Sequence, residues 1–297
     1  MRRPQVAVLL AAALATAGCA PPRSGSLGPA PTAAPPSAAP TPSIPVTGGT
    51  TVGPGPATSS PGPAPATSSP TSAPTATVTL ELWFVRDGRL APTRRTRPGT
   101  PATSRLALTE LAVGPTAAES SAGLTTLVPG GTEPVGVAGG VATVRLGAAA
   151  AATRRLREAQ VVWTLTQFPT VRQVRFDPPG ADGPVDRGDY ADLLPPVVVT
   201  NPVIGQRITS PLTVTGTADV FEATVSVRLL DAGGREIATT FTTASCGSGC
   251  RGDYRTALGW RVAAEQRGVL EVYEVSAHDG SRINVVQVPV TLVPGRG

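Results

Sequence analysis

The first regular alternation of apolar and polar positions covers residues 78–84. Large apolar side chains stand at every second position there, and this period is typical of a half-buried β-strand. Asp87-Gly88 follows directly, and this pair predicts a hairpin turn because both residue types tolerate the positive φ angles of a tight loop. The pattern therefore places the start of the first folded unit at about residue 77.

Helical spacing replaces the alternation further along. Leu108, Leu111 and Ala112 fall on one helical face, and Gly114-Pro115 ends that helix. A second helix is predicted from about 149 to 165. Its buried face carries three residues, Leu156, Ala159 and Trp163. With strands predicted at 141–146 and 171–176, the order of elements indicates an α+β domain, an antiparallel sheet with two helices.

Beyond residue 197 the pattern returns to short alternating runs separated by turns, with no helical period. Turns are predicted at 231–234 and at Asp279-Gly280. Many short strands within about 100 residues favour an all-β immunoglobulin-like sandwich. The positions predicted to face its core are Val225, Val227, Leu229, Leu270, Val272, Val286, Val288 and Val290.

The start of the chain has the form of an export signal. Two arginines are followed by an apolar run from about 6 to 17, which is shorter than the roughly 20 residues that span a bilayer. The run ends Leu-Ala-Thr-Ala-Gly-Cys19, which resembles the bacterial lipobox, although Thr16 stands where leucine is usual. The resemblance implies lipidation of Cys19. The alternative is ordinary secretion, with Cys19 discarded or left as a free thiol.

Residues 20 to about 76 are almost entirely Pro, Ala, Thr, Ser and Gly. This composition offers too little apolar surface to offset the entropy of ordering, so we predict a disordered stalk. Its reach would approach about 170 Å in extended polyproline form and about 40 Å as a flexible coil. The complete predicted division is a signal peptide at 1–18, the lipidated Cys19 with the stalk at 19–76, the α+β domain at 77–180, a solvated linker at 181–196 and the sandwich at 197–294.

Candidate chemistry is sparse. Cys246-Gly-Ser-Gly-Cys250 predicts a disulfide, because an exported chain meets an oxidising environment and the glycines let the chain fold back. A redox or metal role is the alternative, but two thiols and the single His278 do not supply a four-ligand zinc site. For His278 the choice lies between a general base and an exposed residue at a strand end, and no nucleophile partner is visible.

The remaining charges suggest solvated surface. The formal charge is +5, and aspartates interrupt the arginine series from 177 to 192 without the spacing of a calcium loop. No arginine stripe with interleaved aromatic residues is present, which argues against nucleic acid. The sequence therefore predicts no catalytic residues, no cofactor and no metal.

Several motifs in 77–180 resemble those of GerMN domains, which are named from spore germination and sporulation proteins. The resemblance lies in the helix-then-Gly-Pro-Thr run at 106–116, in 127–132, in 140–144 and in 162–169. They occur in the right order and cover the unit. The resemblance implies protein–protein assembly at the cell envelope and carries over no catalytic residues.

The second unit resembles an immunoglobulin-like module associated with sporulation and germination proteins. The motifs are Asn201-Pro202 and the runs at 210–216, 218–223 and 276–281. The resemblance implies a binding or scaffolding element, without implying sporulation itself. Within the third motif we expect Phe221 and Glu222 to serve core packing and a strand boundary.

Taken together, these features predict a non-catalytic envelope lipoprotein that acts as a protein-interaction or scaffolding module. Its expected location is outside the cytoplasm, anchored to the cell membrane by lipid at Cys19. The expected partners are envelope or membrane proteins. The alternative is a module that binds the wall glycan peptidoglycan, which a cluster of surface aromatic residues would favour.

Overall fold

The computed structural model describes residues 76–147, 151–179 and 183–295. The signal peptide, Cys19 and all but the last residue of the expected stalk lie outside these residues. Two hydrophobic cores are present, one built from residues 80–198 and one from residues 197–292. None of the helices in the described part of the chain is long and apolar enough to cross a bilayer.

The first core begins with a hairpin of β1 (Thr77–Arg86) and β2 (Arg89–Pro98). The register pairs the last residue of β1 with the first of β2, so the loop between them is Asp87-Gly88 alone. Both loop residues have positive φ, 52° and 71°, as a twist-matched two-residue turn requires. The predicted turn is therefore present, and it continues into a strand that the arginine-rich pattern of 89–98 had not indicated.

Two helices follow, α1 (Thr103–Val113) and the five-residue α2 (Ala117–Ser121). Gly114, at a φ of 93°, ends α1 where the sequence predicted it. Thr116 and Glu119 form a reciprocal capping box at the start of α2. The sequence did not predict α2, because a five-residue helix is too short to show a period.

A second sheet has the order β3 (Glu133–Ala138), β4 (Val141–Arg145) and β5 (Gln173–Asp177). Between β4 and β5 lies α3 (Arg154–Leu165), preceded by a short 3₁₀ turn at Ala151–Thr153. The α+β class is confirmed, with a difference in detail. Strands β4 and β5 are parallel, because the crossover through α3 returns the chain to the same end of the sheet before β5 starts.

Helix α3 starts about five residues later than predicted. Of its expected core face, Ala159 is fully buried, while Leu156 and Trp163 are partly buried. Two polar residues, Gln160 and Thr164, are fully buried instead. Their partners lie on β1, about 80 residues away in sequence, so periodicity along the helix could not reveal them.

The described part of the expected linker, residues 183–196, corrects the prediction of a solvated segment. Val185 forms an antiparallel bridge with Val174, and Tyr190 and Leu194 belong to the first core. Arg187 lies over the ring of Trp163, 4.5 Å from its centroid. This segment is therefore part of the first folded unit. The contacts that hold it there could not be inferred from its polar composition.

The second core lies between two sheets, and the predicted immunoglobulin-like sandwich is confirmed. Its strands are β6 (Val197–Asn201), β7 (Arg207–Ile208), β8 (Leu212–Ala218), β9 (Thr224–Leu230), β10 (Glu236–Thr243), β11 (Gly252–Leu258), β12 (Gln266–Val275) and β13 (Arg282–Leu292). One sheet has the order β10-β9-β12-β13-β7 and the other β11-β8-β6. The positions predicted to face the core are all buried.

Close backbone approach explains one glycine of the sandwich. A Cβ on Gly216 would overlap the carbonyl oxygen of Val198 and the ring of Tyr254. The Tyr254 hydroxyl donates a hydrogen bond of 2.9 Å to that same carbonyl. Gly216 therefore lets the hydroxyl of a buried tyrosine reach its partner across the three-stranded sheet.

Candidate functional site: the cleft between the two cores

Strand β6 joins the two cores. Val198 belongs to the first core, whereas its neighbours Val197 and Val199 belong to the second. Successive side chains of a strand point to opposite faces, so one strand can serve both cores. Ile204, just after β6, packs against both. The two units are thus in direct apolar contact rather than separated by a free tether.

A cleft of about 610 Å³ lies beside this contact. The hairpin turn of the first unit and the end of α2 form one side, and residues 284–289 of β13 form the other. Prolines 195 and 196, which precede β6, also line the cleft. Binding sites often lie where domains meet, because two surfaces then converge on one ligand.

Two arginines from the hairpin turn line this cleft. Arg86 is partly buried, and it donates a hydrogen bond of 3.2 Å from Nη1 to the carbonyl oxygen of Gln287. Desolvation lowers the pKa of Arg86, and the charge of Asp87 opposes that shift. Arg89 donates through Nη1 to the carbonyl oxygens of Asp192 and Leu194, at 2.7 and 3.2 Å. Within the described residues neither guanidinium has a carboxylate within ion-pair distance.

Beneath α2 lies a buried ionic cluster that fixes the position of the cleft wall. Arg95 donates to Glu119 at 2.7 Å and to Glu110 at 3.1 Å, and the three side chains are 5–15% exposed. Thr93 donates to Glu119 at 2.6 Å, and the backbone N–H of Thr116 does so at 2.7 Å. Burial would raise the pKa of Glu119, but these hydrogen bonds and the charge of Arg95 together lower it.

The sequences of both units match known families. Residues 71–182 match the family Germane, described as sporulation and spore germination. Residues 196–281 match Gmad2, the immunoglobulin-like domain of bacterial spore germination. The chain thus joins a GerMN domain to a germination-type immunoglobulin-like domain. Both expected resemblances are confirmed.

Two solved structures are also similar to parts of the chain. One holds the tandem GerMN domains of the sporulation protein GerM from Bacillus subtilis, at 18% identity and a TM-score of 0.31, and it covers 41% of this chain and 49% of its own. The other is the first GerMN domain of GerM, at 23% identity and 0.30, covering 33% and 80%. The chain spans about half the length of the tandem structure. No curated protein matches it.

The predicted cysteine pair lies in the immunoglobulin-like domain and is joined there as a disulfide, with Cα atoms 5.6 Å apart. The five-residue loop it closes packs against the turn at Phe221–Ala223. Ser248 donates from its N–H to the carbonyl of Val220, and its Oγ accepts from the N–H of Glu222. The disulfide loop therefore supports a neighbouring turn of the domain.

That turn departs from the sequence prediction. Glu222 and Ala223 have φ values of 51° and 55°, a left-handed conformation that costs a residue with a Cβ about 1–2 kcal/mol. Phe221 was expected in the core but is 52% exposed. Its N–H donates to Glu274 Oε1 at 2.9 Å, so the hydrogen bonds of the turn hold the ring in solvent.

The remaining candidates do not converge on a site. His278 is exposed in the turn between β12 and β13. The acidic residues after 177 bind protein groups instead: Asp186 and Asp189 accept from backbone N–H groups of their own segment. Asp192 forms a two-point ion pair with Arg155 of α3, at 2.6 and 2.7 Å. In the described residues no group of three or more His, Cys, Asp or Glu side chains is placed to hold a metal ion. Sequence reasoning missed the cleft, because Arg86 and Gln287 are 201 positions apart.

Proposed function

We propose that this chain is a non-catalytic, lipid-anchored envelope protein whose GerMN and immunoglobulin-like domains together bind a protein partner. Both matched families are associated with sporulation and spore germination, and we place the partner among envelope proteins of that kind. Cys19 would hold the protein at the outer face of the membrane. The stalk would let the paired domains reach into the wall.

The observation that carries the proposal is the cleft formed jointly by the two domains. A lone domain would lack one of its walls. Its lining consists mainly of arginine, amide, proline and valine groups and backbone, which suit recognition. It offers no activated nucleophile beside a base, and such a pair is what covalent catalysis needs.

Site-specific photo-crosslinking in living cells tests the proposal. A benzoyl-phenylalanine at Val285, in the cleft wall, should capture a specific envelope protein. The matched control is the same group at Val137 on β3, because the two valines are similarly exposed at 41% and 46%. A Cys19→Ala chain should lose the product if the anchor brings the partners together. Equal labelling from both positions, or no protein product from either, would contradict the proposal.

One feature supports the alternative of wall-glycan binding. On the outer face of the five-stranded sheet, Phe241 pairs with Ser226, which in turn pairs with Tyr273. Phe241 is 72% exposed, and Arg282 lies over the Tyr273 ring at 5.8 Å. The Tyr273 ring is only 9% exposed beneath that guanidinium, so the exposed ring of Phe241 alone offers a surface on which a sugar could stack. Sedimentation with purified peptidoglycan, lost in Phe241→Ala, would move the function to this face.

A further inference from the structure

The edge of β13 is open beside the cleft. Strand β12 pairs with one side of β13, while β7 pairs with the other side only at Thr291 and Leu292. The carbonyl of Pro289 is covered by the N–H of Gly205, at 2.8 Å. Across the described residues, β13 therefore has no strand neighbour on this side before that point.

The contacts already present show which backbone groups face this edge. The backbone carbonyl of Gln287 accepts from Arg86, so this carbonyl faces away from β12, while the Gln287 side chain donates to Glu271 of β12. In an antiparallel pair, the N–H and C=O of one residue lie on the same side, so the Gln287 N–H also faces the cleft. A proline at 289 presents no N–H here, which limits the usable edge to residues 285–287, about 7 Å of strand.

The net charge of the cleft determines which kind of ligand it binds best. Arg86 and Arg89 are opposed only by Asp87 among its lining residues, leaving a net positive charge. Arg86 donates one hydrogen bond to a neutral carbonyl, and its other nitrogens form no hydrogen bond within the described residues. Hydrogen bonds from a guanidinium to a carboxylate are roughly twice as strong as neutral ones. A guest that brings a carboxylate would therefore bind better than the carbonyl does.

We infer that the cleft binds an extended acidic segment of the partner protein, which adds a short strand to β13 at residues 285–287 and places a carboxylate on Arg86. Strand addition supplies backbone hydrogen bonds, and the arginine supplies selection for an acidic side chain. A volume of about 610 Å³ is within the range of pockets that hold drug-sized ligands, so the cleft has room for only a short part of the segment. The inference deepens the proposed function and rests on it.

Fluorescence anisotropy with the purified full-length chain tests the inference. The probes are fluorescein-labelled decapeptides of alternating valine and aspartate, and of alternating valine and asparagine. The acidic peptide should bind at least about tenfold more tightly, since one charged hydrogen bond is worth that factor or more. Arg86→Gln should remove this preference, while Arg172→Gln, which alters an exposed arginine bonded to the carbonyl of Gly139, should keep it.

The strand-addition step has its own pair of variants. Gln287→Pro removes the N–H that faces the cleft, and Gln287→Ala loses the same side chain but keeps that N–H. Proline is already present two positions later, so the strand accommodates it. Binding should fall about tenfold in Gln287→Pro relative to Gln287→Ala, because one ladder hydrogen bond is lost and the N–H site is blocked.

Equal binding of the two peptides, equal binding by the two Gln287 variants, or no binding at millimolar peptide would overturn the inference. These outcomes are separate from failure of the proposed function. A partner that crosslinks at Val285 but contacts no acidic strand leaves the function in place and removes the inference. Absence of any crosslinked protein removes the function, whatever the peptides do.

Discussion

The two domains differ in whether the free edge of an outer strand is covered by other groups of the protein. In the GerMN domain, β2 is the only strand among the described residues that pairs with β1 along its length. The other edge of β1 is covered by an isolated bridge from Thr125 to Val85 and by side chains. Gln167 exchanges two hydrogen bonds of 2.8 Å with the backbone of Glu81, while Gln160 and Thr164 bind the backbone of Trp83. Side chains of and just after α3 thus take the place of a neighbouring strand.

In the immunoglobulin-like domain, β13 leaves its edge open where the cleft lies. The contrast shows that side chains of this protein can cover a free strand edge. The exposed edge of β13 is therefore not an unavoidable result of ending a sheet. Amide and hydroxyl side chains bind the backbone groups along the edge of β1 inside the core, because unpaired backbone groups in a core are costly. The edge of β13 is left open next to Arg86 and Arg89, which bind backbone carbonyls and have no carboxylate partner among the described residues. It is therefore the better candidate for a partner.

The largest expected effect comes from breaking the buried cluster in the GerMN domain. Glu119→Ala should destabilise it by about 3–5 kcal/mol, because a buried arginine loses a partner while Thr93 and the Thr116 N–H lose their acceptor. Urea unfolding, followed by tryptophan fluorescence, measures this. Glu133→Ala is the matched control, since its ion pairs with two arginines are exposed and should cost less than about 1 kcal/mol.

The same cluster gives a pH test. The pKa values of Glu110 and Glu119 lie below their ordinary 4.5, for Glu110 chiefly because of its hydrogen bond from Arg97. A lowered folded-state pKa stabilises the protein above the unfolded value, and that stability is lost as pH falls from about 4.5 toward the folded values. Glu119→Ala should flatten this acid loss. An unchanged slope would show that other carboxylates dominate it.

The next effect concerns the closed edge itself. Gln160→Leu should cost about 2–4 kcal/mol, because it leaves the buried carbonyl of Trp83 and the partly buried N–H of Leu127 unpaired. The control is Gln173→Leu, at a half-buried position on β5. Similar midpoints for the two variants in urea would mean that the α3 side chains do not close the edge energetically.

A smaller effect is expected in the immunoglobulin-like domain. Replacing Cys246 and Cys250 together by serine should cost about 2 kcal/mol, since a disulfide that closes only five residues removes little entropy from the unfolded chain. Thermal unfolding of both forms gives the difference. The loss should fall on this domain and leave the GerMN transition unchanged, and a shift of both would indicate that the domains unfold together.

The smallest effect has the opposite sign. Glu222→Gly should stabilise the chain by up to about 1 kcal/mol, because glycine adopts a φ of 51° without the steric cost of a Cβ. Glu236→Gly, within β10, serves as the contrasting control and should destabilise. Destabilisation by Glu222→Gly would mean that its side chain makes a contribution larger than the backbone strain.

The sequence by itself determined the features that act over a few residues. The Asp87-Gly88 turn, the helix end at Gly114 and the buried row Val225, Val227 and Leu229 all follow from local φ preferences or strand period. Family motifs gave the order of the two domains. The spacing of Cys246 and Cys250 indicated their pairing, because a loop this short needs no knowledge of the remaining fold.

Only the tertiary structure decided which distant residues meet. In the sequence Gln160 is an ordinary polar helix residue, and only the fold brings it to the carbonyl of Trp83. Tyr190 lies in a polar segment of the sequence, and only the fold places its ring in the first core. The sequence predicts that Phe221 packs in the core, yet a left-handed turn supported by the disulfide loop holds its ring in solvent. Local patterns fix period and turn chemistry, whereas edges, clefts and buried ion pairs depend on contacts made across the whole fold.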